Sequence, residues 1–531
     1  MENAVSYEEL KTENTALKSE ISALRAENAE INGKLNWLIE QLSINNRKLY
    51  GSSSEKSDYD QVGLFDDSAP AAPEVELTET DEPEGKAVKK QRPIKRGEMG
   101  SRIPTGVPIE TVECEIPEEE RVCPEHGETM RAIGKEMVRR EIKIIPAKVV
   151  VTEFWRYSYL CRVCEQAAVE PLPIIKAELP PQVIKGSLCA PETLAHIAVQ
   201  KFVMGTPLYR MEQEWNRDGI QFKRQTMASW LIKGSEDYLE PIYDKLHWQL
   251  CQYKFLHSDS TDFQVLKEPG RPAQSQSQMW VYRTSGDAEH PIVLYDYQTD
   301  KKKERPRDFL AEFSGYLMTD GFSSYQCLPD KITLVGCFAH CRRGFFDALK
   351  VLKKEEQAGS LALIGLEYCD KLFEIERGIN DKSFGERYTI RNKDAAPVLE
   401  KFYAWLLSVH PFVAPKSKLG KAVNYALNQW KYLVRYLLDG RIEISNNRCE
   451  RSVKPFVINR KNFLFADSVP GARAAAVIQS MTETAKDNCL NPQEYLSHIF
   501  RTAAGVNLRS NDDLVIALLP ENAPQFCKVH K

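Results

Sequence analysis

The sequence predicts a multidomain α/β protein. Three observations carry that expectation: a seven-residue apolar repeat near the N-terminus, two short-spaced pairs of cysteine and histidine further on, and a later alternation of strand-like and helix-like runs marked by isolated acids. They divide the chain in that order into an N-terminal coiled coil, a small zinc-binding β module, a helical region and a catalytic core with a helical insertion.

Composition sets the outer limits. The 531 residues give room for about two to four domains with full-sized cores. Hydrophobic residues at 42% and charged residues at 27% describe a soluble globular chain. The formal net charge of −4 means that any contact with nucleic acid must come from local basic surfaces. No apolar run approaches the ~20 residues of a membrane span, and the acidic, polar start MENAVSYEEL lacks the features of an export signal. The expectation is a cytoplasmic protein with no membrane partner. Thirteen cysteines, an odd number, then read as reduced thiols rather than a disulfide framework.

In residues 1–50, Leu10, Leu17, Leu24, Ile31 and Leu38 recur every seventh position, with Asn14, Ile21, Asn28, Leu35 and Leu42 as the companion series. This is the spacing of a left-handed coiled coil, and asparagine at some core positions favours a parallel pair. A homodimer or higher oligomer through this zipper is expected; the plainer alternative is an amphipathic helix packed on its own chain. Residues 51–108 are rich in Ser, Asp, Glu, Pro and Ala and end in KAVKKQRPIKR, the composition of a disordered linker with a basic tail.

Within 109–178, Cys123 and His126 form one pair and Cys161 and Cys164 another. Two knuckles of this spacing can close a tetrahedral Cys3His site, so a structural Zn2+ is expected there, with Cys114 as a substitute ligand. Residues 185–247 read as short helices punctuated by Gly219, and Lys223 and Arg224 open the last of them. Such a region is either a helix-turn-helix that lays a helix in the DNA major groove or an ordinary helical subdomain.

From 250 to 480 the pattern becomes three strands, a helix and a further strand, the order of a ribonuclease H-like core. The first strand then carries Asp259 and the later one ends at Asp320. Phosphodiester chemistry needs positive charge on both the entering and leaving oxygens, which two Mg2+ (or Mn2+) ions held by carboxylates supply. Glu450 is the third acid, alone in the otherwise basic stretch SNNRCERSVKPFVINRKNFLF. Helical patterns over about 345–440 read as an insertion before the helix that carries it. Asn446 or Asn447 can cap that helix, and Pro455 should end or kink it. Residues 481–531 form a C-terminal helical segment.

These residues resemble a known family. The order of modules, together with HSDST at 257–261, TDGFSSY at 319–325, CFAHCRRGFFDAL at 337–349, NNRCERSVKPFVINRKNFLF at 446–465 and TAKDNCLNPQEYL at 484–496, looks like the transposases of the insertion sequence 66 family. The resemblance implies a DDE transposase whose metal-binding catalytic triad is Asp259, Asp320 and Glu450. It implies metal-dependent strand cleavage at element ends and strand transfer into target DNA. It also places Asn446, Asn447, Arg451, Arg460, Lys461 and Asn462 around the site, and His340, Arg342 and Arg343 beside it. Physically, these cations and Lys454 are suited to DNA phosphates. Double-stranded DNA, both element ends and target, is the implied partner, with small accessory proteins of the same element and nucleoid association in a bacterial cell. A non-catalytic DNA-binding regulator derived from a transposase is the alternative, and its mark would be a missing acid. Where the family usually reads His-Ala-Asp-Glu-Thr-Pro this chain has Ser258, Ser260 and Asp262; Cys341 stands for an alanine and His126 for a cysteine.

Overall fold

The structure, a computed structural model, describes residues 149–160 and 174–529 together with Lys18. The chain forms two units, one ending at Pro181 and the other spanning Gln182–Val529. In the first, β1 (Ser158–Leu160) pairs antiparallel with β2 (Ile174–Lys176), Tyr159 opposite Ile175. Apart from Lys18, the zipper lies outside the described residues, as do the linker and the four expected zinc ligands Cys123, His126, Cys161 and Cys164.

The second unit opens with helices. Pro191 starts α1 (Pro191–Phe202) at a position where its missing N–H costs nothing. Then come α2 (Leu208–Arg217), α3 (Arg224–Gly234) and α4 (Glu240–Gln252). A π-helical turn at Ser235–Leu239 joins α3 to α4, so the helical pattern RQTMASWLIKGSEDYLEPIYDKL over 224–246 is one rod with an extra residue accommodated inside it. Gly219 sits at φ +83° between α2 and α3, a conformation that suits glycine. Edge-to-face contacts from Phe222 to Trp215 (5.6 Å) and to Trp230 (5.0 Å) lock those two helices together.

The sheet follows. Its strands are β3 (Phe255–Lys267), β4 (Gln276–Thr284), β5 (Val293–Gln298), β6 (Gly315–Thr319) and β7 (Ile332–Gly336), arranged β5-β4-β3-β6-β7. β3–β4–β5 run antiparallel, while β6 and β7 run parallel to β3. α5 (Glu304–Phe309) links β5 to β6. Side chains alternate across a strand, and β4 shows both faces buried. Met279 and Val281 pack with Val453, Phe456, Ala472 and Ala476. Trp280 and Tyr282 pack into the larger core shared with the N-terminal helices. Each such side chain contributes about 1.5–3 kcal/mol on full burial, which makes β4 the central girder of the unit.

After β7 come α6 (Phe338–Val351), α7 (Leu361–Gly378), α8 (Phe384–Ile390), α9 (Ala396–Val409) and α10 (Lys418–Leu433). They bury a core of their own that includes Phe345, Leu372, Phe402 and Val423 and reaches the sheet through Met318 and Val335. The chain returns through α11 (Asn447–Phe463), β8 (Ala466–Ser468) beside the far end of β3, α12 (Val469–Asp487), α13 (Pro492–Ala503) and α14 (Asp512–Ala517).

Several sequence expectations change. The helical stretch expected from about 345 begins earlier, at Phe338, so His340, Arg342 and Arg343 lie in the first turns of α6, which packs against α7 and α10. The short strand β7 was not foreseen. α11 continues through Pro455 to Phe463, so the proline does not end it. The boundary expected at 480/481 falls inside α12. That helix and the helices of 185–247 share one core with the sheet, so neither stands as a separate domain.

Candidate active site

The pairing of β3 with β6 brings the two aspartates level. His257 lies opposite Met318 in that parallel ladder. Asp259 is two residues beyond the first, inside β3, and Asp320 two beyond the second, just past the end of β6. The loop after β6 is held tightly. The Asp320 carboxylate accepts the Phe322 N–H at 2.9 Å, and Tyr425 of α10 donates its hydroxyl to the Asp320 carbonyl at 3.0 Å. Gly321 has φ +88°, and a Cβ there would come within 2.8 Å of Gln429, also on α10. An insertion helix therefore buttresses the second aspartate.

Glu450 sits in the first turn of α11, 8% exposed. Arg343 Nη2 reaches its Oε2 at 3.3 Å. His340 Nδ1 stands 3.6 Å from its Oε1, beyond hydrogen-bond range, and both of these buried atoms lack a hydrogen-bond partner. Burial and the charges of Asp320 and Glu450 push the Asp259 carboxyl up to about 7. Lys301, the cation whose charge reaches Asp259, is engaged with Asp262 at 3.6 Å. Among the described residues neither Asp259 nor Asp320 has an ion-pair partner.

The acids on β3 and on α11 are tied together by a polar bridge that sequence reasoning missed. His257 is buried and its imidazole is pushed down to about 4, chiefly by burial, so the ring is neutral at pH 7. Its Nδ1–H donates to Asn446 Oδ1 at 3.0 Å, which leaves Nε2 to accept from the Ser285 hydroxyl at 3.3 Å. Asn446 in turn donates Nδ2–H to the Ser258 carbonyl at 3.0 Å. The residue before Asp259 is thus clamped to the residue before α11. Glu443 accepts from Arg448 Nε at 2.6 Å and from the Gly286 N–H at 3.1 Å, bracing the same junction.

This network corrects the expected role of Asn446. It is fully buried, with its amide consumed internally, so it neither contacts DNA nor caps α11 with its side chain. Arg342 also departs from expectation. Its Nε donates to Asp370 of α7 at 2.5 Å, pointing into the insertion, while its neighbour Arg343 points to Glu450.

The remaining candidates lie along α11 and α3. Lys454, Lys461 and Asn462 are exposed, Asn447 and Arg451 half-buried, and Arg460 Nη1 donates to Thr261 of β3 at 3.4 Å. Lys223 and Arg224 are exposed at the start of α3, with the Arg224 guanidinium 5.7 Å from the Tyr209 ring.

Comparison with known proteins defines the class: this α/β chain is of the transposase type. A model described as "Transposase IS66 family" matches residues 186–474. Another, for the zinc-finger binding domain of transposase IS66, matches 120–165, and one for the Transposase C of IS166 homeodomain matches 37–112, overlapping the end of the expected zipper and the linker. The chain belongs to the IS66 family of transposases.

Two uncharacterized Sinorhizobium fredii proteins are similar to it. y4jD is 30% identical over 77% of this chain and 79% of its own length; y4qI is 32% identical over 70% and 69%. A chain of the Drosophila P element transposase strand transfer complex aligns with 56% of this chain and 94% of its own at a TM-score of 0.33 and 12% identity, too slight a likeness to define the fold. Among the described residues no helix is long and apolar enough to cross a membrane.

Proposed function

We propose that the chain cuts DNA at the ends of an insertion sequence and joins the freed 3′ ends to target DNA, on a ribonuclease H-like core whose catalytic residues are Asp259, Asp320 and Glu450. The observation that carries this reading is the β3–β6 register that sets Asp259 level with Asp320, where burial and the charges of Asp320 and Glu450 push the Asp259 carboxyl up to about 7. Of the three acids Arg343 pairs with Glu450 alone, and the like charges of Asp259 and Asp320 beside it are unfavourable until a divalent ion joins them. The donor set fits such an ion, because hard carboxylate oxygens are what Mg2+ or Mn2+ takes, and buried Glu450 Oε1 has no other partner. Two Mg2+ ions held there would supply positive charge to the attacking and leaving oxygens of the phosphodiester.

The protein's own groups do the positioning. Arg343 holds one oxygen of Glu450 and so fixes its rotamer. His257, Asn446 and Ser258 set the distance between β3 and α11, and Tyr425 and Gly321 hold the Asp320 loop. Lys454, Arg460 and Lys461 line α11 where a DNA backbone would approach, supplying sequence-independent affinity. Lys223 and Arg224 at the start of α3 are a second DNA contact. The expected Cys3His set at Cys123, His126, Cys161 and Cys164 would hold a structural Zn2+, and the N-terminal heptads would pair two chains so that two element ends are brought together.

The test is cleavage of labelled element ends in Mg2+. Asp259→Asn should bind those ends yet leave them uncut; undiminished cutting by that variant would refute the assignment.

A further inference from the structure

Cys337, His340 and Glu450 present a sulfur, a nitrogen and an oxygen that all lie within 4.8 Å of one another. Cys337 caps the start of α6, His340 lies in its first turn, and Glu450 comes from α11. Three features set this cluster apart from an ordinary buried polar contact. His340 Nδ1 and Glu450 Oε1 are 3.6 Å apart, too far to bond each other but close to the roughly 3.3 Å that separates two ligands of one tetrahedral zinc. Both atoms are buried without a hydrogen-bond partner, which is costly unless something joins them. The other oxygen of Glu450 is held by Arg343, so Oε1 is the one left facing His340 and Cys337. Burial and the Glu450 charge keep the free Cys337 thiol protonated, and the Asn446 N–H, 3.1 Å from Sγ, is an outer contact that would steady a thiolate once a cation binds.

We propose that Cys337, His340 and Glu450 form a three-ligand site for a borderline-soft divalent cation, Zn2+, with a fourth position open to water. A thiolate and an imidazole select such an ion over Mg2+, and on binding the Cys337 thiol releases its proton to solvent. The ion would compete for Glu450, so Zn2+ acts as a brake on Mg2+-dependent cleavage; that consequence, unlike the binding itself, rests on the catalytic role proposed above for Glu450.

Zinc content of the full chain, equilibrated with Zn2+ and then dialysed, separates these statements. Cys337→Ser and His340→Ala should each lose one molar equivalent relative to the unaltered protein, while Cys161→Ser loses a different one and the double variant Cys161→Ser/Cys337→Ser loses both. Asp259→Asn should keep the full complement. With Co2+ in place of Zn2+, Cys337→Ser should lose part of the thiolate-to-metal absorbance. If Cys337→Ser does not fold, half-exposed His340 provides the deciding variant. Unchanged zinc content in folded His340→Ala would overturn the site. Should Asp259→Asn still cut DNA, the catalytic reading fails and the zinc result stands on its own.

Discussion

Two half-buried acids in this protein live in opposite surroundings. Glu376, in the helical insertion, receives both Nε and Nη2 of Arg391 at 2.7 Å, with Arg387 at 3.6 Å. Arg391 is itself fully buried and donates further to the carbonyls of Tyr436 and Asp439. Asp259, within β3, faces the charges of Asp320 and Glu450 and has no ion-pair partner among the described residues. The first arrangement is complete without any visitor and ties α7, α8 and the stretch after α10 together. The second gathers Asp259 and Asp320 without an ion-pair partner among the described residues, beside a Glu450 that Arg343 holds. The divalent cation proposed above is what would balance that charge.

Neutralising each centre should therefore act in opposite directions. Asp259→Asn removes a repelled charge, so at pH 8 and without divalent ions its midpoint of thermal unfolding should rise above that of the unaltered protein. Its cleavage should fall on the order of 10³-fold or more, since several kcal/mol of charge stabilisation is lost at 1.36 kcal/mol per decade. A variant that melts lower and still cuts would erase the contrast. Arg391→Met leaves Glu376 enclosed without its partner and should cost about 3–5 kcal/mol, read from denaturant unfolding. A loss under about 1 kcal/mol would mean that water reaches Glu376 and that the two centres differ less than their geometry suggests.

The same contrast has a pH signature. Asp259 titrates near 7 in the fold against an ordinary 3.8, so between those values the native state holds a proton that the unfolded chain has released. Its contribution to stability is present below about pH 4 and is lost as pH rises through about 7. Mg2+ on the ionised carboxylate offsets that loss. The rise in melting temperature on adding Mg2+ should be larger near pH 8 than near pH 5.5, and Asp259→Asn should flatten the difference. An equal rise at both values would detach cation binding from this group.

Periodicity made much of the frame legible. Alternation marked β3, β4 and β5, the 3.6-residue pattern marked α1 and the insertion helices, and the three acids stood out because each is isolated by sign or by setting. What escaped was decided by contacts distant in sequence. β7 is as short as β6 but carries no acid to set it apart from a loop. Asn446 looked like a surface residue because nothing local reveals that His257, 189 residues earlier, consumes its amide. Arg342 and Arg343 could not be told apart, yet successive helical residues diverge by about 100°, which sends one to Asp370 and the other to Glu450. Pro455 looked like a terminator, but burial of Val453, Phe456 and Asn459 on either side of it holds α11 together across the lost hydrogen bond. A proline costs a helix roughly 3 kcal/mol, and two buried apolar side chains recover about that much.

The smallest effect concerns the outer face of α11. Lys454 is exposed and lies four residues beyond Glu450, so it shares that helical face. Unlike Arg391, which is enclosed and structural, Lys454 makes no demand on the fold, and Lys454→Ala should leave the melting temperature within experimental scatter. A lysine on phosphate contributes a counterion-release term and no sequence information. The slope of log affinity against log salt should therefore become shallower by about 0.9, with element ends and random duplex weakened by the same factor. Titrations at several salt concentrations with both duplexes read this directly. Equal weakening without a change of slope would place Lys454 away from the phosphates, and weakening confined to the element ends would make it a reader of base sequence; either result would move the DNA path off this face of α11 and away from Glu450.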